Sequence, residues 1–191
     1  MSSDLREYLE TLGKTQLVIW LNLLIVPAMF VIILFADVIK VRDTNLPEIY
    51  VYLAVGVSFG LAVIALSINK FLSTDKRIIA SFKNSERLQN VSTRLEEHQI
   101  STKHSKYLSL SNDDRKIAAS VNYLMTPFIT TLALSEGITV IGFLVALYSG
   151  NPIAVLPFFL ATLFIHLSTK PKPLAQAEHA ARLLSTFSAS K

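Results

Sequence analysis

One carboxylate lies within a long apolar stretch, and it is the residue of this chain best suited to chemistry. From Ile117 to Thr169, Glu136 is the only Asp, Glu, Lys or Arg. An ionised carboxylate at the centre of a bilayer costs from about 3 to more than 10 kcal/mol. Glu136 is therefore expected to be protonated, paired, or facing water between helices. Thr131, Ser135 and Thr139 follow one another four residues apart, so a helix places their hydroxyls on a strip beside Glu136.

Two interpretations of this group stay open. In the functional one, Glu136 binds a proton or a cation inside a helix bundle, with Ser135, Thr139 and Thr131 as further ligand candidates. In the structural one, a protonated Glu136 forms hydrogen bonds across helices and holds them together. No basic partner is expected at its depth, and His166 is interpreted as an anchor at the membrane interface.

The residues around Glu136 resemble a known membrane helix. Residues 133–146 read Ala-Leu-Ser-Glu-Gly-Ile-Thr-Val-Ile-Gly-Phe-Leu-Val-Ala. They resemble the carboxylate-bearing helix of the rotor-ring proteolipids of F- and V-type ATPases, in which an Ala-Leu-x-Glu core is followed by an apolar-Gly-apolar stretch. The resemblance implies that Glu136 carries a translocated proton or sodium ion. It covers these residues only, because the chain lacks the glycine-rich helix of the proteolipids.

Four glycines are predicted to be helix-packing positions. Gly56 and Gly60 form a Gly-x-x-x-Gly spacing, and Gly137 and Gly142 follow Glu136. Small residues at such spacings let two helix backbones approach closely inside a membrane. Packing within this chain is the preferred interpretation, and homodimerisation through Gly56 and Gly60 is the alternative.

The elements that position these residues follow from the composition and from the apolar runs. Hydrophobic residues make up 51% of the 191 residues and charged residues only 17%, against about 25% charged in soluble domains. A membrane-spanning helix needs about 20 mostly apolar residues. The sequence therefore predicts an all-α polytopic membrane protein with four transmembrane helices, at Thr15–Ala36, Ile49–Asn69, about Asn122–Tyr148 and about Ile153–Thr169. The Ser149–Pro152 turn separates the last two.

The basic residues predict the orientation. If both termini and the long second connection share one side of the membrane, every Lys and Arg except Lys40 and Arg42 lies near that side. Such a bias favours the cytoplasm. We therefore expect an N-in, C-in protein of a bacterial cytoplasmic (inner) membrane. Anionic lipid headgroups are the expected partner of this charge. Nucleic acid is not expected, because no aromatic residues are interleaved with the basic ones.

The chain divides into five predicted segments. Gly13 is predicted to end the first helix, and Ser111 or Asn112 is predicted to begin a helix that leads into the third span. The segments are an interfacial amphipathic helix (1–14), a first transmembrane hairpin (15–71), a cytoplasmic helical hairpin (72–121), a second transmembrane hairpin (122–170) and a cytoplasmic tail (171–191) with a short helix at Leu174–Leu184.

Function follows less directly. The chain has no cysteine, which excludes disulfides and thiolate metal sites. It has no phosphate-binding glycine loop, zinc-protease motif, serine elbow or kinase motif, so no enzyme, metal or cofactor is expected. The preferred hypothesis is a structural or accessory subunit, or an assembly factor, that binds other membrane subunits or itself. Proton or cation translocation or sensing through Glu136 is the alternative. A lipid-modifying enzyme would need several polar residues at one depth, and only Glu136 is evident.

Overall fold

The structure is a computed structural model, and it describes residues 1–36, 46–72, 74–82, 107 and 109–189. Within these ranges every regular element is a helix. In chain order they are α1 (Ser3–Phe35), α2 (Glu48–Leu72), α3 (residues 75–82), α4 (Asn112–Tyr123), α5 (Met125–Ser149), a 3₁₀ turn (Pro152–Val155), α6 (Leu156–Ser168) and α7 (Pro173–Ala189).

Several of these helices are long and apolar enough to cross a membrane. Among the described residues they are Ser3–Phe35, Glu48–Ile68 and Asn112–Ser149. A fourth span results if Pro152–Ser168 and Pro173–Thr186, which are separated by a short bent break, are counted together. The prediction of an all-helical protein with several membrane-length apolar helices is confirmed at this level.

Local sequence signals fix two of the predicted boundaries. The Ser111 side chain accepts a hydrogen bond from the Asp114 backbone N–H at 3.3 Å and so caps α4. In the predicted turn after α5, the Asn151 side chain accepts from the Ile153 N–H at 3.0 Å. Gly150 has a φ of 70°, a left-handed conformation that favours glycine. Both predictions are confirmed.

The predicted end of the first helix is wrong. α1 continues through Gly13 without a break. A glycine inside a helix costs about 1 kcal/mol relative to alanine, which the long flanking helix outweighs. Gly13 instead allows a close approach, because a Cβ built there lies 2.9 Å from Cγ of Pro173.

Other boundaries shift by a few residues. The third span is predicted from Asn122, but α4 ends at Tyr123 and α5 begins at Met125, with Leu124 between them. α7 begins at Pro173, a favoured first helical residue, and extends past the predicted end at Leu184. Of the predicted cytoplasmic hairpin, residues 73, 83–106 and 108 lie outside the described residues.

The chain forms two compact units. The first comprises Met1–Gln16, Phe71–Pro127 and Pro171–Lys191. Asn122 donates to the Tyr8 hydroxyl at 2.7 Å, and Ser2 donates to Asp114 at 2.6 Å. This unit has an apolar core with charged residues on its surface, as water-facing helices do. The core residues are Leu5, Leu9, Ile78, Phe82, Leu110, Ile117, Ala118, Val121, Ala177, Ala180 and Leu184.

The second unit comprises Leu17–Lys70 and Phe128–Lys170. Its outer surface is apolar: Phe59 is 71% exposed, and Ile32 and Leu160 are also exposed. Its interior is unusually polar, since Thr131, Ser135, Thr139, Thr162 and His166 are all fully buried. Apolar side chains outside and polar ones inside are what a helix bundle in lipid requires.

Candidate functional site

The site is built on two antiparallel helices of the second unit, α5 and α6. Ser135 contacts His166, Thr139 contacts Thr162, and Gly142 lies against Phe158. On each helix these positions follow one another three or four residues apart, so they form one face. α5 therefore presents Ser135 and Thr139 to a matching row on α6.

Glu136 is paired with His166 at this face. Nε2 of His166 lies 3.3 Å from Oε1 of Glu136. The imidazole is fully buried and the Glu136 side chain is 14% exposed. Nε2 and both carboxyl oxygens are themselves buried, and none makes an aligned hydrogen bond to a described residue. The two groups are thus within ion-pair distance, without the geometry of an aligned hydrogen bond.

This pairing corrects two sequence predictions. His166 is not an interface anchor, and Glu136 does have a basic partner at its depth. The physical reason is the short turn at Gly150–Asn151. The number of residues from Glu136 to this turn is nearly the same as the number from the turn to His166. Because α5 and α6 are antiparallel, the two side chains therefore lie at the same level along the helix pair. Counting outward from the turn would have found His166 in the sequence.

The other side of the imidazole fixes its tautomer. Nδ1 lies 3.1 Å from the carbonyl oxygen of Thr162 and 3.2 Å from Oγ of Ser135. The carbonyl oxygen can only accept, and Ser135 already donates its hydroxyl hydrogen to the Leu132 carbonyl at 2.7 Å. Both neighbours are therefore acceptors, and the network assigns a hydrogen to Nδ1.

The hydroxyl groups next to the pair are fully used. Thr162 donates to the Ser135 carbonyl at 2.7 Å, and Thr139 donates to Oγ1 of Thr162 at 2.8 Å. Thr131 is turned to a different helix and donates to the Ala65 carbonyl of α2 at 3.1 Å. Of the three hydroxyl residues predicted beside Glu136, Ser135 touches the pair through His166, Thr139 joins it through Thr162, and Thr131 does not reach it.

Trp20 of α1 completes the site. Its indole Nε1–H donates to the backbone carbonyl of His166 at 2.9 Å. The Thr169 N–H, at 3.2 Å, also donates to this carbonyl. These donors satisfy carbonyl groups that the end of α6 leaves without helical partners. Sequence reasoning missed Thr162, His166 and this role of Trp20, because contacts between helices are not visible in one apolar run.

The four predicted packing glycines differ in their surroundings. A Cβ built on Gly142 lies 2.5 Å from Cβ of Phe158, and one built on Gly137 lies 3.6 Å from Cδ1 of Leu61. A Cβ built on Gly56 or Gly60 meets no described residue within 4 Å. At these two positions the described part of the chain shows no close approach of a second helix, and their packing role stays a prediction.

The described residues contain no group of three or more His, Asp or Glu side chains placed to hold a metal ion. No family model, curated protein or solved structure matches the chain. Fold and site together define a class of protein: over its described residues the chain is helical, with several apolar helices long enough to cross a membrane and a buried histidine–glutamate pair among them.

Proposed function

We propose that this chain is an integral membrane protein that binds a proton at the Glu136–His166 pair and uses it to sense or move protons. The observation that carries the proposal is the 3.3 Å contact between Nε2 and Oε1 inside an apolar unit. With one shared proton the pair is neutral, either as glutamic acid beside imidazole or as carboxylate beside imidazolium. Gain or loss of a proton leaves one net charge in a low-dielectric interior, so the proton count is coupled to the surrounding packing.

The surroundings favour a proton over a metal cation. Hard cations take six or more oxygen ligands. Here Oγ of Ser135 faces the Nδ1–H of His166, and Oγ1 of Thr162 accepts from Thr139. The carbonyls of Leu132 and Ser135 are also engaged. Among the described residues of α5 and α6, the two Glu136 oxygens are the only buried side-chain oxygens without a hydrogen-bond partner. The resemblance of residues 133–146 to proteolipid helices, in which a glutamate carries a proton or a sodium ion, supports ion chemistry at Glu136 but does not distinguish the two ions.

The proposal includes a topology. We place four spans in a bacterial inner membrane, N-in and C-in, with α6 as the short fourth span and a cytoplasmic helical hairpin after α2. The distribution of Lys and Arg supports this orientation. The exposed charged residues of α7, Glu178 and Arg182, support a water-facing position for that helix.

The natural fluorophore of the chain provides the test. Trp20 is the only tryptophan, and its N–H is bound to the His166 backbone, so its emission reports charge at the pair. A pH titration of the purified protein in mild detergent is expected to show one transition. Glu136→Gln and His166→Gln are expected to abolish it, and His179→Gln, in the first unit, is expected to retain it. An unchanged transition in both site variants would reject the proposal.

A second function is favoured by a separate observation. A Cβ built on Gly56 or on Gly60 meets no atom of the described residues within 4 Å, and α2 exposes most of its large apolar side chains. An accessory subunit of a larger membrane assembly, or a self-associating protein, would use such a face. Gly56→Leu with Gly60→Leu is expected to release a co-purifying subunit or a second copy in mild detergent. A monomer that co-purifies with nothing would oppose this function.

A further inference from the structure

The Glu136–His166 pair is much nearer to one end of its helices than to the other. His166 lies in the last turn of α6, about 3 Å along the axis from Ser168 at 1.5 Å per residue. The opposite end of the helix pair is the 3₁₀ turn at Pro152. At the same rise per residue, His166 lies about 20 Å along the axis from Pro152. The two routes by which a proton could reach the pair are therefore unequal in length.

The long route is lined by apolar side chains, and the cavity of about 240 Å³ on that side, with Ile141, Leu144 and Val145 in its wall, offers almost no polar partner to water. On α5 and α6, Thr139 is the last buried polar side chain in the direction of Pro152. Beyond it Phe158 packs so closely on Gly142 that a built Cβ lies 2.5 Å away. A water molecule needs a cavity with polar partners, and this contact offers neither. The residues that line this side are Ile138, Val145 and Phe158, with Ala146, Val155 and Leu34 nearer the turn.

The hydroxyl groups do not bridge this apolar layer. The hydrogens of Ser135 and Thr162 end on backbone carbonyls, and that of Thr139 ends on Thr162. The chain of hydroxyls thus leads back to the helix backbone. Ser58 adds a buried hydroxyl on α2. Apart from the Glu136–His166 pair itself, the buried side chains of α1, α2, α5 and α6 in the described part of this unit include no Asp, Glu, Lys, Arg or His.

The short route is brief and is lined by polar groups that are bonded to backbone carbonyls. Next to His166 lie its own carbonyl, the indole N–H of Trp20 and the hydroxyl of Thr169, which donates to the Ile165 carbonyl at 2.8 Å. The next residue, Lys170, is exposed. Lys170 and His166 are therefore only about 6 Å apart along the axis of α6 at 1.5 Å per residue.

We infer that the pair exchanges its proton with one compartment only, the one that faces the Lys170 end of α6. This inference rests on the proposed proton binding. A proton leaves hydronium at the Lys170 end, adds to Nε2 or to a Glu136 oxygen, and returns to water by the same route. No proton crosses the membrane in this cycle. The site is therefore a sensor of the pH of one compartment, and translocation is excluded for the packing seen in this structure.

The test uses the protein reconstituted in phosphatidylcholine vesicles. Because the chain has no cysteine, Ile153→Cys labelled with a membrane-impermeant maleimide reports which end of α6 faces outward. The pH is then stepped on one side at a time with impermeant buffers, while Trp20 emission is recorded. We expect the full response when pH changes at the Lys170 end and none when it changes at the Ile153 end.

The outcomes separate the two levels of the proposal. A response to pH at the Ile153 end, alone or with the other, overturns one-sided exchange but retains proton binding at the pair. A wild-type signal that responds on neither side, or a response that persists in His166→Gln, overturns proton binding itself. Ile153 is exposed and lies outside the pair, so its substitution is expected to leave the detergent titration unchanged.

Discussion

At the scale of single residues, the Glu136–His166 pair combines a high energetic cost of burying charge with a specific geometry. Burying either charge alone is strongly unfavourable, whereas a pair that shares one proton carries no net charge. The fixed hydrogen on Nδ1, held between Ser135 and Thr162, directs Nε2 toward the carboxyl group. The same three features, burial, proximity and a fixed tautomer, make the pair suited to holding one exchangeable proton.

The first prediction concerns the stability of this pair. His166→Ala is expected to lower the free energy of unfolding by about 3 kcal/mol, because it leaves a buried carboxyl group without its partner. Glu136→Gln is expected to cost less in the His166→Ala background than in the wild type, with a coupling of about 1–3 kcal/mol. Unfolding of the four proteins in a mixed-detergent titration measures the cycle. Strictly additive effects would show that the two side chains do not interact.

The sequence identifies one half of the pair. Glu136 is evident because a carboxylate is rare in an apolar run. His166 is not evident from the sequence, because a histidine near the end of a short apolar run also fits a position at the membrane interface. Only the antiparallel packing of α5 and α6 makes it a partner, and that packing depends on the turn and on the close contact of Gly142 with Phe158.

At the scale of elements, the α5–α6 contact is set by side-chain size at one position. Gly142→Ala is expected to destabilise the protein by about 1–3 kcal/mol, because the added methyl group overlaps Phe158. Gly56→Ala is the matched control: its Cβ meets nothing within 4 Å, so it is expected to be neutral or to stabilise by up to about 1 kcal/mol. The same mixed-detergent titration measures both. Equal losses in the two variants would contradict the tight α5–α6 packing.

Tyr107 gives the first unit a pH-dependent stability. Burial raises the pKa of Tyr107 above its ordinary 10.0, the nearby Tyr8 raises the pKa further, and Arg115 lowers it. The folded state therefore favours the neutral phenol. Its contribution is complete below pH 10.0 and is lost as the pH rises from 10.0 through the raised folded value.

We therefore expect Tyr107→Phe to remove part of the alkaline loss of stability, since phenylalanine has no proton to release. Thermal unfolding followed by circular dichroism on both sides of pH 10.0 measures this, with Tyr50→Phe as the control. Tyr50 is exposed in the second unit. An identical alkaline loss in Tyr107→Phe and in the wild type would contradict the assignment.

Local sequence signals predict some helix boundaries correctly and others wrongly. The cap at Ser111 and the turn at Gly150–Asn151 are predicted correctly, because each depends on hydrogen bonds between residues close in the chain. Gly13 misleads, because its role depends on Pro173, which is far away in sequence. Local chemistry predicts where most helices begin and end, but it does not predict which helix a glycine contacts.

At the scale of the whole molecule, hydropathy predicts the class of the fold. Long apolar helices, and a unit whose exterior is apolar and whose interior holds threonine, serine and histidine, are the arrangement expected in lipid. The pairing of Thr131 with Ala65, or of Trp20 with His166, could not be predicted, because any apolar face can pack on any other. Specific partners emerge only when polar groups have to be satisfied.

The number of spans is testable with one cysteine. If α6 crosses the membrane alone, Lys172, which is exposed, lies in water. If α6 and α7 form one span, Lys172 lies within the bilayer. We expect Lys172→Cys to react rapidly with a membrane-impermeant maleimide in intact or inverted vesicles, and Leu160→Cys, exposed in the middle of α6, to be unreactive in both. A blocked Lys172→Cys would support the combined span and reject the four-span topology proposed above.

The central claim is that Glu136 and His166 hold an exchangeable proton, and infrared difference spectroscopy of the carboxyl group tests it most directly. When the pH of the membrane-embedded protein is stepped, we expect a carboxylic-acid C=O band to change in intensity. This band is expected to be missing in Glu136→Gln. In His166→Gln it is expected to change at a different pH than in the wild type. A wild-type spectrum with no pH-dependent band assignable to Glu136, or a band unaffected by His166→Gln, would contradict it.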